Sequence, residues 1–570
     1  MPAVAPRTLS RNGIGGLYYL EALTKLAARL ALALLLIAPS LIAQTPSAQP
    51  AARPRAPKLV VLLSIDQMRG DYVDHFGHQW SKGLKRLITE GAWFRQADYP
   101  YYTTVTCPGH ASISTGTVPA VHGMVENQWL DRATGRLTSC TTDDTEQLVS
   151  YGNPVKGGGH SARRLMTTAF ADELRLQGAV TPRVVAISLK ARSAITLGGH
   201  KPDAVIWLDE ADGEWVTSTA FGKTPVKYFA DYINAHPLRG EMGRTWDRSL
   251  PLDQYVGEYS SENRRKFALV TKQFPHVVKG RGDEVAGAFT DAWESSPYSD
   301  AYLAGLGNAA IDALKLGRGR GTDMLAISYS ALDKTGHDFG PDSHEVQDVL
   351  IHLDAEIGAL LDKLDREVGK GNYVVALSSD HGVAPVPERM KAQGFDAGRV
   401  NTTAIGRAID DILQRELGPA TYRTRVQYND IFFDNGVYEK LSQNARAMAA
   451  VLEVIRKADG IASVHRKEEL SRVDPLTRPL ALSYYEGRSG DLKIIVRPYW
   501  IASVSTATHG TGHRYDARVP VLLFGYGIKK GEYIAPASPI DIAPTLAFLS
   551  GVTLPNPMGR VLTEALTSPR

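Results

Sequence analysis

KLVVLLSID, residues 58–66, is the stretch on which the fold turns. Leu59–Ile65 is apolar almost throughout and lacks the alternation of a half-buried strand, so it reads as a central parallel strand covered on both faces. It stops at Asp66. In open α/β sheets ligands collect beyond the carboxyl ends of the strands, which makes this carboxylate a candidate metal ligand; a helix N-cap is the plainer role for the same residue type. The same punctuation recurs farther along. Arg183–Leu189 (RVVAISL) leads to Lys190 and Arg192, Asp323–Tyr329 (DMLAISY) to Asp333 and His337, and Asn372–Ser378 (NYVVALS) to Asp380 and His381. Val519–Phe524 (VPVLLF) follows a loop carrying His509. Helical spacing falls at Trp80–Glu90, Ser161–Gln177, Tyr302–Leu316 and Val346–Val368, and Pro539–Leu549 reads as a closing helix. Strands alternating with helices predict an α/β fold, a doubly wound, mostly parallel sheet with helices on both faces. Two regions of mixed character, about 200–300 and 385–503, read as inserted caps; the second holds helical patterns at Thr402–Leu417 and Lys440–Ala458.

At 570 residues the chain is long enough to bury a large core. Hydrophobic residues make up 43% and charged residues 22%, a soluble globular composition. Basic and acidic residues number 64 and 61, for a net charge of +3, and this near-balance argues against a nucleic-acid partner. Near the start, Lys25 and Arg29 precede an apolar run, Leu30–Ala38, and then Pro39–Ala43. The run is shorter than the ~20 residues of a spanning helix, and its flanks match a cleaved export signal. Residues 1–43 are therefore expected to be a signal peptide, 44–57 a Pro- and Ala-rich tether, and 58–570 the catalytic domain. The product is expected in the periplasm or secreted, without a stable membrane anchor, and as a monomer. Cys107 and Cys140 either pair in an oxidising compartment or are small buried residues.

Tyr101–Asn127, YYTTVTCPGHASISTGTVPAVHGMVEN, is rich in hydroxyls, Gly and Pro. It suits a hydroxyl presented at a helix N-terminus, where free N–H groups attract anions, although Thr-rich loops are more often turns and caps. Thr106 is its candidate nucleophile. The strand-end residues supply the context. Converging carboxylates repel unless a cation sits among them, and carboxylate with imidazole suits Zn²⁺ or another transition metal better than Ca²⁺ or Mg²⁺.

Seven strings in order carry a resemblance: SID (Ser64–Asp66), TVTCPGHAS (Thr104–Ser112), VPAVHGMVEN (Val118–Asn127), SLKARSA (Ser188–Ala194), DKTGH (Asp333–His337), SSDHG (Ser378–Gly382) and THG (Thr508–Gly510). Together they resemble the alkaline phosphatase superfamily, and within it the phosphate-irrepressible bacterial alkaline phosphatases, in which Thr replaces the usual Ser nucleophile. The resemblance implies two Zn²⁺ per subunit, one held by Asp333, His337 and His509, the other by Asp66, Asp380, His381 and the Thr106 oxygen. It implies a phosphothreonine at Thr106, with Asn127, Lys190 and Arg192 gripping the phosphoryl oxygens, and small phosphate monoesters as substrates. Charge favours the monoester. Two Zn²⁺ balance Asp66, Asp333, Asp380 and a Thr106 alkoxide, so Lys190 and Arg192 are left to match a dianion. The alternative is a nucleotide pyrophosphatase or phosphodiesterase of the same superfamily. A sulfatase fits less well, because Thr stands where sulfatases carry Cys or Ser. His110 and His122 lie inside these strings without a ligand role, and His509 is preferred to His513 because it precedes Gly in THG.

Overall fold

The computed structural model describes residues 56–257, 273–280, 282 and 285–567. The expected signal peptide, 1–43, and residues 44–55 of the expected tether lie outside the described residues.

Eleven strands form the main sheet. In chain order they are β1 (Leu59–Ile65), β2 (Ala92–Phe94), β3 (Thr142–Ser150), β4 (Gly158–His160), β5 (Val184–Ser188), β6 (Ala204–Asp209), β7 (Glu214–Ser218), β8 (Asp323–Tyr329), β9 (Tyr373–Ser378), β10 (Val521–Gly525) and β11 (Gly531–Tyr533). Their spatial order is β11-β2-β10-β9-β1-β8-β5-β6-β7-β3-β4. The middle five, β9-β1-β8-β5-β6, are parallel. Antiparallel pairs extend the sheet on both sides, through β10 next to β9 and through β7 next to β6.

β1 shows why its sequence is apolar without a break. Leu59, Val61, Leu63 and Ile65 enter one hydrophobic core, whereas Val60 and Leu62 enter the other. Successive side chains point to opposite faces of a strand, so a strand with a core on each side has no polar face. This is the expected doubly wound α/β layering.

The register fixes the site. Ser64 lies opposite Ser328 and Ser378, and Ser328 opposite Ser188, so four serines form a row across β9, β1, β8 and β5. Asp66, Lys190 and Asp380 each lie two residues beyond that row, at the carboxyl edge of the sheet.

Three helices start at that edge: α1 (Thr106–Thr115), α2 (Ala191–Gly198) and α3 (Ala331–Phe339). α1 is buried on every side, which accounts for its small residues. Two of its hydroxyls turn back on their own helix: Ser114 and Thr115 both donate to the Ala111 carbonyl. Pro108 falls in the first turn, where its missing N–H is tolerated, and Gly116 ends the helix at φ 71°.

Several boundaries differ from the sequence reading. The helix expected over Ser161–Gln177 covers only Phe170–Gln177, because Asp172 accepts from the Ala169 N–H and caps it there. The pattern over Lys440–Ala458 is two helices, Val437–Gln443 and Ala445–Arg456, divided at Asn444, whose side chain caps Ala447. Residues 204–218, at the start of the first expected cap, supply β6 and β7 of the main sheet. In the second, Arg425–Gln427, Asp430–Phe432, Leu492–Val496 and Ile461–Arg466 form a separate antiparallel sheet with its own core.

Candidate functional site

Asp66, Asp333, Asp380, His381 and His509 are all buried at the carboxyl edge of the sheet. They form two groups whose donor atoms lie within 4.8 Å of one another: Asp66 with Asp380 and His381, and Asp333 with His381 and His509. His381 is common to both, and its ring stacks on that of His509 with centroids 3.4 Å apart. His337 joins the second group through Asp333, with Nε2 3.1 Å from Asp333 Oδ1.

The imidazoles are oriented for ligation. Nδ1 of His337, His381 and His509 faces the carbonyls of Ala507, Gly382 and Thr104 at 2.9, 2.9 and 3.0 Å. A carbonyl only accepts, so each Nδ1 carries the hydrogen, which leaves Nε2 of His381 and His509 with a lone pair toward the site; at His337 burial opposes protonation, but Asp333 beside Nε2 raises the imidazole above its usual range. Burial holds His381 below the usual imidazole range and His509 well below it, so both are neutral.

The carboxylates are not self-sufficient. Asp66 Oδ1, Asp380 Oδ2 and His381 Nε2 are buried without hydrogen-bond partners. Such atoms are costly unless something binds them. Burial, and after it the Asp333 and Asp380 carboxylates, push Asp66 well above the usual carboxylate range. Asp333 moves the other way: burial opposes ionisation, but Lys190 and the His337 imidazole hold its carboxyl well below that range. Two inward imidazole lone pairs, two orphaned carboxylate oxygens and mutual carboxylate repulsion together fit metal cations.

Lys190 sits between the groups. Its ammonium donates to Asp66 Oδ2 at 2.6 Å and Asp333 Oδ2 at 2.5 Å. Expected to face substrate, it is engaged with two of the expected ligands, which leaves one of its three N–H bonds. Arg192 lies in the first turn of α2 with its Nε buried and unpartnered.

Thr106 is the first residue of α1 and is buried. A close backbone approach holds α1 against Asp380: a Cβ at Gly109 would lie 2.2 Å from the Asp380 carbonyl oxygen, so only Gly fits in CPGH. Asn127 Oδ1 accepts the Cys107 N–H at 2.8 Å, and its Nδ2 donates to the Tyr428 hydroxyl at 3.2 Å. Cys107 and Cys140 form a disulfide, tying the first turn of α1 to the chain beyond Asn127. His110 and His122 are structural contacts. His110 bonds Ser328 and the Thr106 carbonyl and stands 3.2 Å from Asp380, while His122 bonds Ser112. His513 bonds the Val496 carbonyl instead of joining the ligand groups.

Two further residues were not singled out by the sequence reading. Tyr428 follows Arg425–Gln427 in a two-residue hairpin turn and has φ 46°. Such turns demand positive φ, which Gly or Asn usually supplies, so a Tyr there is a constraint worth a functional explanation. With Asn429, His337 and His509 it lines a cavity of about 360 Å³ at the candidate metal groups. Burial keeps its phenol neutral. Gln67, at φ 70°, touches Asp333 and Asp380. A tyrosine in a turn and a glutamine after a strand-end acid are the only signals either leaves in the sequence.

Residues 60–516 match the family model for type I phosphodiesterase/nucleotide pyrophosphatase. Alkaline phosphatase PafA of Elizabethkingia meningoseptica is 32% identical over 524 residues, covering 90% of this chain and 94% of that protein. Alkaline phosphatase PhoV of Synechococcus elongatus is 32% identical over 534 residues, covering 91% and 95%. The crystal structure of wild-type alkaline phosphatase PafA superposes with a TM-score of 0.82 at 31% identity, covering 90% of this chain and 99% of that one. Among the described residues no helix is long and apolar enough to cross a membrane. The chain belongs to the type I phosphodiesterase/nucleotide pyrophosphatase family of the alkaline phosphatase superfamily, and is a phosphatase of that superfamily.

Proposed function

We propose that the chain is an exported, zinc-dependent alkaline phosphatase that hydrolyses phosphate monoesters through a phosphothreonine at Thr106. The observation that carries this reading is the pair of buried Asp/His groups beside the N-terminus of α1, with imidazole lone pairs and orphaned carboxylate oxygens turned inward. Asp333, His337 and His509 would hold one Zn²⁺; Asp66, Asp380, His381 and the Thr106 oxygen would hold the other. Two such ions, when bound, favour the ionised form of a hydroxyl nucleophile and of an alcohol leaving group.

The chain's own residues do the rest. Thr106 Oγ1 attacks phosphorus in line with the ester oxygen; the new O–P bond forms as the P–O ester bond breaks and the alcohol departs. The N-terminal end of α1 favours the negative charge gathered there. Arg192 grips phosphoryl oxygens through its planar fork, and Asn127 donates from Nδ2, held in place by the Cys107 N–H and the Tyr428 hydroxyl. Lys190 lends its remaining N–H to the phosphoryl group while its other two stay on Asp66 and Asp333. Water then attacks phosphorus, phosphate leaves and Thr106 regains its hydroxyl.

The second reading is diester hydrolysis, which the description of the matching family favours. Metal analysis joined to initial rates on an aryl monoester and the corresponding diester decides between them. Bound zinc with a monoester preference supports the proposal; a diester preference replaces it with the second reading.

A further inference from the structure

Gln67 follows Asp66 and is buried, with φ 70°, a conformation that L-residues other than Gly rarely adopt. Its backbone N–H donates to Asp380 Oδ1 at 3.1 Å. Its side-chain Nε2 donates to Asp333 Oδ1 at 2.6 Å and to the Asp333 carbonyl at 3.3 Å. Asp380 belongs to one ligand group and Asp333 to the other. A single residue therefore reaches both, and the left-handed turn after Asp66 aims its backbone at one carboxylate and its amide at the other.

The opposing wall is shaped for this side chain. Gly336 lies inside α3, where Ala would ordinarily be the better helix former. A Cβ at Gly336 would stand 1.9 Å from Gln67 Oε1, and its three nearest heavy atoms would all belong to the Gln67 side chain. The glycine in DKTGH thus answers to the glutamine after SID, across 269 residues of chain (336 − 67).

We infer that Gln67 is a positioning residue that fixes the two candidate metal subsites relative to each other by clamping Asp333 and Asp380. At Asp380 the oxygen that accepts from Gln67 is fixed and the unpartnered Oδ2 is presented to the site; at Asp333 Gln67 and Lys190 take one oxygen each, which fixes the carboxylate with Oδ1 toward His337 and His509. Outer partners of this kind ordinarily change metal affinity by about 10–100-fold when removed. The inference rests on the proposed metal reading of the site.

The test uses the purified full-length protein and zinc itself. Zinc affinity and stoichiometry are measured by competition with a chelator for wild type, Gln67→Ala, Gly336→Ala and the double variant; thermal midpoints of the chelator-treated proteins are measured alongside. Gln67→Ala should weaken zinc binding about 10–100-fold. Gly336→Ala should weaken it comparably, by displacing the Gln67 amide. The double variant should match Gln67→Ala alone, because the group the new methyl would strike is gone. Midpoints of the zinc-free proteins should change little, whereas a purely structural role would lower them and leave zinc affinity intact. Wild-type affinity in Gln67→Ala, or additive losses in the double variant, overturns the inference alone. A wild-type protein that binds no zinc overturns the metal reading and this inference with it.

Discussion

Replacing Arg192 by Ala should separate monoester from diester recognition. The guanidinium stands in the first turn of α2 and is half-buried. Among the described residues the ion pairs of Asp66, Asp333 and Asp380 are with Lys190 and the histidines and not with Arg192. On the proposed reading, Arg192→Ala therefore removes a substrate contact and leaves the hydrogen bonds among the candidate ligands as they are. A hydrogen bond to a charged group contributes about 1.5–3 kcal/mol. At about 1.4 kcal/mol per factor of ten, kcat/KM on a monoester dianion should fall ~10–150-fold. A diester has one negative charge fewer and should lose less than about tenfold, since part of the Coulomb attraction was never present. The assay is kcat/KM on an aryl phosphate and its methyl diester, which share a leaving group, so leaving-group chemistry cancels in the comparison. Equal losses on both substrates would refute the charge argument. Lys190→Ala is the control: it strips the ammonium from Asp66 and Asp333 and should damage both reactions.

Thr106→Ala should lower monoester turnover by at least ~10³-fold and abolish acid-stable labelling of the protein by radiolabelled substrate; retained turnover would sink the covalent mechanism. Exhaustive chelation should abolish activity, and zinc should restore it better than magnesium or calcium, because imidazole and carboxylate donors suit it better; a fully active metal-free protein would refute the site. The Cys107–Cys140 bridge spans 33 residues, so the double Ala variant should lose at most about 3.7 kcal/mol on the chain-entropy model, read from the urea midpoint; an unchanged midpoint would deny the cross-link its stabilising role. Burial raises the Asp300 carboxyl to about 7, although the Ala331 and Ser330 N–H groups pull against it. With its folded value above its unfolded one, the protonated form stabilises the fold fully below about pH 4, and that contribution is lost as pH rises to about 7. Asp300→Asn should therefore leave the thermal midpoint little changed near pH 4 and raise it relative to wild type above pH 8; a shift independent of pH would show that Asp300 does not titrate this way.

The parts of the site that lie next to strand ends were legible because strand physics writes them into the sequence. A strand buried on both faces must be apolar throughout, so β1, β5, β8 and β9 announce themselves, and the first polar residues after each one fall at the sheet's carboxyl edge. Four in-register serines then put Asp66, Lys190 and Asp380 side by side. The flanks carry no such signal. β3, TDDTEQLVS, is polar and mostly partly exposed, so neither period nor composition marks it as a strand of the main sheet. β6 and β7 lie at the start of a stretch that lacks regular periodicity as a whole, and only pairing shows where they belong.

Tyr428 and Gln67 were illegible for a different reason: their meaning lies in backbone conformation and in partners far away in sequence. Tyr428 bonds Asn127 across 301 residues, and Gln67 bonds Asp333 across 266. Both are non-glycine residues at positive φ. Composition ranks Gln after Asp as ordinary, and a Tyr-Asn pair as a turn; neither pattern says that a carboxylate or an amide waits opposite. Lys190 shows the same limit inside a recognised motif. Counting charges assigns its ammonium wholly to substrate, whereas two of its N–H bonds rest on Asp66 and Asp333. Those two carboxylates belong to different ligand groups, so Lys190 bridges the groups by charge where Gln67 bridges Asp380 and Asp333 by hydrogen bonds. Two buried bridges across one pair of groups imply that spacing between the groups, as well as the identity of the donors, is under structural control. An in-line displacement needs that spacing, because its attacking and leaving oxygens lie on opposite sides of one phosphorus atom.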